Sequence, residues 1–244
     1  SELDAKHYRT LGIENIDITG NLKFDVHLSE ELIKLGQHWK NSLWPHRTVI
    51  MAASTREDEE NLIIQAVLRL KYPFKPLLLI VPRHLKRIDA IEDVINTFHL
   101  KMSKRTQLQD KLLEDIDVVI GDSFGEMAAY FSASDIVVMG GTLKGTGGQN
   151  LIEPCALGKP VILGPSIYNF TQVSEFAISS GAAISLKNIS PESSDGELIT
   201  SLTKVLEELL SNPQKTRFMS DSGVIFTRQH QGATQRTLRF LTAI

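Results

Sequence analysis

Short apolar runs alternate with helical patterns along most of this chain. The apolar runs have the length of single strands, and they lie at residues 48–52, 77–81, 118–120, 135–139, 160–163 and 182–186. Apolar residues recur at helical spacing in 58–70, 88–98, 194–210 and 231–244. Uniformly apolar strands are typical of a parallel sheet that is covered on both faces. The pattern therefore predicts an α/β fold with a Rossmann-like, doubly wound parallel sheet. Residues 101–107 fit either an edge strand or a loop.

Composition agrees with one large globular unit. The chain has 244 residues, of which 42% are hydrophobic and 23% charged, and its formal net charge is −3. A basic excess, the usual signature of a general nucleic-acid binder, is absent from this composition, so we expect no nucleic-acid partner. No apolar run reaches the ~18 residues of a membrane span. The single cysteine, Cys155, cannot form an internal disulfide, and we interpret it as a small buried residue in a reducing compartment.

Polar and glycine-rich segments follow nearly every predicted strand. In an open α/β sheet, ligands bind beyond the carboxyl ends of the strands, so these segments are expected to meet at one ligand-binding edge. They comprise residues 53–56, 82–84, 121–126, 140–142 and 145–150. Their convergence predicts a polar ligand site.

The glycine-rich stretch 145–150 leads into a short predicted helix that contains Pro154. Asn150 is a good N-cap, and free N–H groups at a helix start attract anions such as a nucleotide phosphate. Glu153 follows about one turn later, where its carboxylate is placed to accept hydrogen bonds from a ribose diol. The alternative is that Glu153 only adds favourable negative charge near a helix N-terminus.

Three further side chains belong to the same predicted edge. Arg83 follows a strand and a proline, and its planar guanidinium suits a phosphate, although a surface salt bridge is the alternative. His84 is assigned to phosphate positioning, acid catalysis or a structural hydrogen bond. Ser54 either donates to a phosphate or caps the helix that begins nearby, and capping is the favoured interpretation.

Several common cofactor motifs are missing from the sequence. No GxGxxG follows the first strand, and no GxxxxGK[ST] phosphate loop occurs, which disfavours simple dinucleotide or ATP use. Asp122 follows a strand, as metal ligands often do, but no second carboxylate is placed to complete a magnesium site. We therefore predict neither a cofactor nor a metal.

The segments singled out above resemble one family of enzymes. These segments are 19–25 (TGNLKFD), 52–57 (AASTRE) with Glu59 and Glu60, 81–84 (VPRH), 121–127 (GDSFGEM), 147–154 (GGQNLIEP), 158–161 (GKPV) and 164–165 (GP). They look like consecutive motifs of 3-deoxy-D-manno-octulosonic acid (Kdo) transferases. The matches run in the same order from about Leu11 to Phe170. Each motif alone is weak evidence, but the ordered set is specific.

This resemblance implies the C-terminal, donor-binding half of a GT-B glycosyltransferase of family 30. Such an enzyme transfers Kdo from CMP-Kdo to lipid A precursor, with inversion and without a bound metal, in lipopolysaccharide biosynthesis. Carried over by motif, the donor contacts are Ser54, Arg83, His84, Phe124, Gly125, Glu126, Met127, Asn150, Leu151, Ile152 and Glu153.

The resemblance also implies that part of the enzyme lies outside this chain. The family's general base is a glutamate of the N-terminal domain, which also carries the acceptor site and membrane anchor, so Glu57, Glu59 and Glu126 are not assigned that role. We predict an interdomain segment (1–25), a Rossmann-like nucleotide-sugar-binding domain (26–230) and a C-terminal helix (231–244). By itself the chain is expected to be soluble and inactive, whereas the full protein is expected at the cytoplasmic face of the bacterial inner membrane.

Two alternatives to this function remain open from the sequence. GT-B enzymes that use UDP-sugars share the glycine-rich loop and a glutamate near the following helix, and binding of CMP against UDP separates them. A non-catalytic nucleotide-binding module is the other alternative. The match to the family's interdomain segment at residues 19–25 argues against that module.

Overall fold

Seven parallel strands form one sheet in the computed structural model, which describes residues 2–71, 73, 75–108, 115–186 and 189–242. The strands are β1 (Val49–Thr55), β2 (Leu77–Pro82), β3 (Met102–Lys104), β4 (Val118–Ile120), β5 (Ile136–Met139), β6 (Val161–Leu163) and β7 (Ala183–Ser185). The helices are α1 (Glu2–Thr10), α2 (Glu30–Ser42), α3 (Glu59–Leu68), α4 (Ile88–Thr97), α5 (Met127–Ala133), α6 (Ile152–Ala156), α7 (Thr171–Ser179), α8 (Asp195–Ser211), α9 (Pro213–His230) and α10 (Ala233–Thr242).

The strand order is β3-β4-β2-β1-β5-β6-β7, and every described pair is parallel. From β1 the chain first adds strands on one side of the sheet, and after β4 it crosses to the other side with β5. The order therefore reverses between β1 and β5, which is the position where an open α/β sheet leaves a ligand crevice. The predicted doubly wound sheet is confirmed, and residues 101–107 prove to be an edge strand followed by a short 3₁₀ turn.

Two apolar cores cover the two faces of the sheet. Alternate residues of β1 belong to different cores: Met51 to the core that includes residues of α2, α5, α6, α7 and α9, and Ile50 to the core that includes residues of α3, α4, α8 and α9. Every residue of β1 except the penultimate one is buried, and every residue of β2 is buried. Burial on both faces explains why these strands read as continuous apolar runs rather than as an alternating pattern.

Helix ends follow local signals of the sequence. The hydroxyl of Ser194 accepts from the N–H of Glu197, whose carboxylate accepts from the Ser194 N–H, and this capping box starts α8. The side chain of Asn212 caps α9, which begins with Pro213. Periodicity did not predict α9, because its sequence is polar and only a few of its residues are buried.

The N-terminal segment is tied to the last helix. Both carboxylate oxygens of Asp25 accept hydrogen bonds at the start of α10, from the N–H of Gly232 and the N–H of Thr234, each at 2.6 Å. The Arg236 side chain donates to the Thr19 carbonyl at 2.8 Å. The segment 1–25 and the last helix thus contact each other, while the predicted domain boundaries stay a prediction. None of the described helices is long and apolar enough to cross a membrane.

Candidate functional site

The loops that follow β1, β2, β4 and β5 lie along one edge of the sheet, hereafter called the carboxyl edge. Backbone hydrogen bonds join them: the Arg83 N–H donates to the Thr55 carbonyl at 3.0 Å, and the Gly140 N–H donates to the Ala53 carbonyl at 2.7 Å. A side-chain carbon at Gly140 would come within 2.5 Å of the Ser54 carbonyl oxygen, so only glycine permits this approach of β5 to β1. The structure thus brings the predicted segments to a common edge.

Arg83 and His84 are both exposed at this edge. Within the described part of the chain, no carboxylate pairs with Arg83, so the surface salt bridge considered as its alternative role is absent there. His84 Nε2 lies 3.4 Å from an Arg56 guanidinium nitrogen. Arg56 and Arg83 follow the neighbouring strands β1 and β2 directly, so two cationic side chains are offered at this edge, an arrangement suited to an anion.

Ser54 does not cap the following helix, which corrects the favoured interpretation. α3 begins at Glu59, and its N-cap residue is Asp58, which makes no side-chain cap bond. Ser54 lies four residues earlier, within β1, and it adopts a left-handed φ of 55°. Its half-buried side chain remains at the carboxyl edge. The phosphate-donor role stays a prediction.

The turn between β4 and α5 presents an exposed aromatic ring. The Phe124 side chain is 93% exposed, and the adjacent Gly125 adopts a φ of 80°. An exposed ring at a ligand edge is available for stacking on a base. Met127 begins α5 and packs partly against the core.

Glu126 is committed to other side chains of the protein. Its carboxylate accepts from Arg105 at 2.8 Å and from the Ser123 hydroxyl. The Arg105 guanidinium stacks 4.4 Å from the centre of the Trp39 ring. Glu126 thereby holds the turn in place, and sequence reasoning missed Arg105 because its segment, 101–107, carried the weakest pattern.

The glycine-rich loop is packed against a neighbouring loop as well as open to solvent. The Gly147 N–H donates to the Ser166 hydroxyl at 3.0 Å, and the Gly148 N–H donates to the Gly141 carbonyl at 2.7 Å. A side-chain carbon at Gly147 would lie 2.4 Å from the Asn169 side chain. Glycine is required here because the Asn169 and Tyr168 side chains occupy the space that a side-chain carbon would need.

The start of α6 combines free backbone donors with a carboxylate. Helix α6 begins at Ile152 and its N-cap is Leu151, so the N-cap lies one residue after the predicted one, Asn150. The side-chain oxygen of Asn150 still accepts from the Ile152 N–H at 3.1 Å. Among the described residues, none accepts a hydrogen bond from the N–H groups of Gln149, Asn150 or Leu151. The Leu151 and Ile152 side chains are fully buried in the core, so these two residues offer only backbone atoms to a ligand.

Glu153 lies half-buried beside Asn150, whose amide nitrogen is 3.5 Å from its carboxylate. Burial raises the pKa of Glu153, and the contact with Asn150 opposes that rise. A desolvated carboxylate with few partners favours additional donors. The hydroxyls of a ribose would supply them.

Glu59 is a buried carboxylate that sequence reasoning did not single out for the site. Its side chain is fully buried, and it accepts from three N–H groups: Arg56 at 2.9 Å, Gly141 at 2.7 Å and Leu143 at 2.9 Å. Burial raises the pKa of this carboxyl, and the three hydrogen bonds oppose that rise. Glu59 thus joins the loop after β1 to the loop after β5 across the reversal of strand order. In the sequence, the feature that points to Glu59 is the acidic pair that it forms with Glu60 shortly after a predicted strand.

Cys155 and the acidic residues add no reactive centre to the described edge. The Cys155 thiol is fully buried, as predicted, and burial raises its pKa to about 12. Asp122 accepts from the N–H of Thr106 at 2.9 Å and also from its hydroxyl. Over the residues described, no three His, Cys, Asp or Glu side chains are grouped as metal ligands.

Sequence comparison places this chain among named bacterial enzymes. It is 37% identical over 231 residues to a 3-deoxy-D-manno-octulosonic acid transferase of Bordetella pertussis, covering 93% of this chain and 51% of the relative. The transferase of the same name from Haemophilus influenzae is 30% identical over 98% of this chain and 54% of its own length. The chain thus spans about half the length of these curated relatives. No protein-family profile matches it.

Structural comparison identifies the same kind of fold. The C-terminal CMP-Kdo binding domain of WaaA from Acinetobacter baumannii superposes with a TM-score of 0.71 at 23% identity, covering 81% of this chain and 98% of that domain. The fold is accordingly the doubly wound C-terminal half of a GT-B glycosyltransferase. Over nearly its whole length, the chain is thus similar in sequence to about half the length of these 3-deoxy-D-manno-octulosonic acid transferases.

Proposed function

We propose that this chain is the donor-binding domain of an inverting Kdo transferase and that it binds CMP-Kdo at the carboxyl edge. The observation that carries the proposal is the meeting of Arg83, the exposed Phe124 ring and the start of α6 on that edge, in a chain whose relatives are Kdo transferases. In this proposal Arg83 binds the phosphate, Phe124 stacks on the cytosine, and Glu153 accepts from the ribose hydroxyls. The other proposed donor contacts are Ser54, His84, Gly125, Glu126, Met127, Asn150, Leu151 and Ile152.

The acceptor and the chemical step are assigned to the part of the relatives that this chain does not span. There we place the general base, the lipid A precursor site and the attachment to the cytoplasmic face of the inner membrane. The isolated chain should therefore bind the donor and fail to transfer Kdo. A transfer assay with CMP-Kdo and lipid A precursor tests this, and turnover by the isolated chain would refute the division of roles.

Titration calorimetry of the isolated chain tests the binding site. CMP should bind detectably, cytidine more weakly, and ATP and UDP less than CMP. Arg83→Ala should weaken CMP by about tenfold to a hundredfold, since a charged hydrogen bond contributes about 1.5–3 kcal/mol, and it should leave cytidine nearly unchanged because cytidine has no phosphate.

Arg69→Ala is a matched control for this titration. Arg69 is an equally exposed arginine that ends α3, and α3 leads away from the carboxyl edge. The control should bind CMP as the wild type does. Equal affinity of the wild type for ATP and CMP, or an equal loss of cytidine and CMP binding in Arg83→Ala, would contradict the proposal. Tighter binding of UDP than CMP would favour the UDP-sugar alternative.

A further inference from the structure

The proposed donor carries two negative charges on two different chemical groups. One is the phosphate that joins cytidine to the sugar, and the other is the acid group of the octulosonic acid itself. An anion that leaves bulk water needs a cationic or hydrogen-bonding partner at its new position. A site that recognises this donor by its acid group therefore needs a second cation besides the one assigned to the phosphate.

Most cations near the carboxyl edge already have acidic partners. Arg87 forms a bidentate pair with Glu60 at 2.6 and 2.9 Å, and Arg105 pairs with Glu126 at 2.8 Å. Lys144, in the glycine-rich loop, pairs with Asp195. These three side chains are neutralised by the protein itself and are therefore poor candidates for a ligand anion.

Arg56 differs from these cations. No carboxylate lies within 4.0 Å of its guanidinium among the residues that the structure describes. The nearby acid Glu57 instead lies 3.5 Å from Arg87. The buried Nε of Arg56 has no hydrogen-bond partner, and its described side-chain contact is the one at 3.4 Å with His84. Because Nε is buried, the donors that remain available to a ligand are those of the two terminal guanidinium nitrogens that do not face His84.

The backbone of Arg56 is held in place although its guanidinium has no ion-pair partner within 4.0 Å among the described residues. Its backbone N–H donates to the buried Glu59 carboxylate at 2.9 Å, and it directly follows the end of β1. β1 borders both β2, which carries Arg83 at its end, and β5, which leads into the glycine-rich loop. Arg56 therefore lies at the reversal of strand order, at the end of the strand next to the one that Arg83 follows, and the Arg83 N–H donates to the carbonyl of the preceding residue, Thr55, at 3.0 Å.

We propose that Arg56 forms a subsite for the carboxylate of the donor sugar, separate from the phosphate contact of Arg83. This inference rests on the proposed function and extends it, because it names the residue that distinguishes an acidic sugar donor from the nucleotide alone. Arg56 then contributes to recognition of the sugar acid, and the contact with His84 at 3.4 Å helps to orient its guanidinium.

Calorimetric titration of the isolated chain with CMP and with freshly prepared CMP-Kdo tests the subsite. The wild type should bind CMP-Kdo about tenfold more tightly than CMP, as expected for one added charged hydrogen bond at a half-exposed site. Arg56→Ala should abolish that preference while it leaves CMP affinity within about twofold. Arg83→Ala should weaken both ligands by a similar factor.

Two further variants keep the result interpretable. Lys86→Ala removes an exposed cation from the turn after β2 and should preserve the preference for CMP-Kdo, which separates a specific subsite from general positive charge. Arg56→Gln keeps a shorter polar side chain and removes the charge, so it should also lose the preference for CMP-Kdo, and it supplies the test if the alanine variant unfolds.

Several outcomes would overturn the inference. A wild type that binds CMP and CMP-Kdo equally has no carboxylate subsite on this chain. Retention of the preference in both Arg56 variants would exclude Arg56, and an equal loss of both ligands would assign it to the phosphate instead. A wild type that binds neither ligand refutes the proposed function itself, and the inference fails with it.

Discussion

Replacing Glu59 by glutamine should separate the two loops that this carboxylate joins. The carboxylate is fully buried, and each of its three hydrogen bonds goes to a backbone N–H. One oxygen accepts from Arg56 and Gly141, and the other accepts from Leu143. Glutamine keeps a single acceptor oxygen, so its amide nitrogen must face at least one N–H donor in either orientation.

The cost of Glu59→Gln follows from this count of donors. In the better orientation the oxygen still serves Arg56 and Gly141, while the amide group and the Leu143 N–H are left unsatisfied. At about 1–3 kcal/mol for each buried unsatisfied group, the penalty is about 2–6 kcal/mol. Removing a desolvated charge offsets part of it, because the raised pKa of Glu59 shows that burial opposes ionisation. We expect a net loss of about 2–4 kcal/mol in the free energy of unfolding.

Thermal unfolding and amide hydrogen exchange measure this loss. The midpoint should fall by about 4–16 °C, since 1 kcal/mol corresponds to about 2–4 °C in a chain of this size. Exchange at Gly141 and Leu143 should accelerate more than exchange in β2. Glu57→Gln is the matched control, because its side chain is 66% exposed and its removal should change stability by at most about 0.5 kcal/mol. An unchanged midpoint with unchanged exchange at Gly141 would refute the reasoning.

The remaining predictions concern two other carboxylates and the single thiol of the chain. Glu153→Gln should weaken CMP and cytidine alike, since both carry the ribose, and titration calorimetry showing a selective loss of CMP would contradict that role. Hydrogen bonds from Thr234 and Gly232 hold the pKa of Asp25 below its ordinary value, so its contribution to stability is present above the unfolded-state pKa and is lost as pH falls through the folded-state pKa. The stability difference between the wild type and Asp25→Ala, about 1 kcal/mol for the loss of a capping side chain at neutral pH, should therefore shrink in acid, and a difference that grows in acid would be the wrong sign. Because burial raises the pKa of Cys155 to about 12, a thiol reagent at pH 8 should label it only after denaturant is added, and rapid labelling of the native chain would show that the thiol is accessible.

The sequence by itself determined every described strand except β3, the class of fold and most of the carboxyl edge. Continuous apolar runs identify β1 and β2 because both faces of these strands are buried, and the residues that follow a parallel strand must lie at its carboxyl end. Arg83 and the 121–127 turn could therefore be predicted without coordinates. The ordered motifs supplied the family, which periodicity alone does not distinguish from other doubly wound folds.

Only the tertiary structure decided which of these residues are committed to partners far away in the chain. The hydrogen bond between Glu59 and Gly141 joins residues 82 positions apart, and the one between Arg105 and Glu126 joins residues 21 positions apart. No local sequence pattern predicts either bond. The same holds for Gly147, whose need for glycine comes from the packed loop at Asn169. Local propensity fixes where a strand ends, but the neutralisation of a charge depends on which distant loop the fold places against it. For that reason the sequence predicted the edge, and the structure alone showed that Arg56 lacks a carboxylate partner among the described residues.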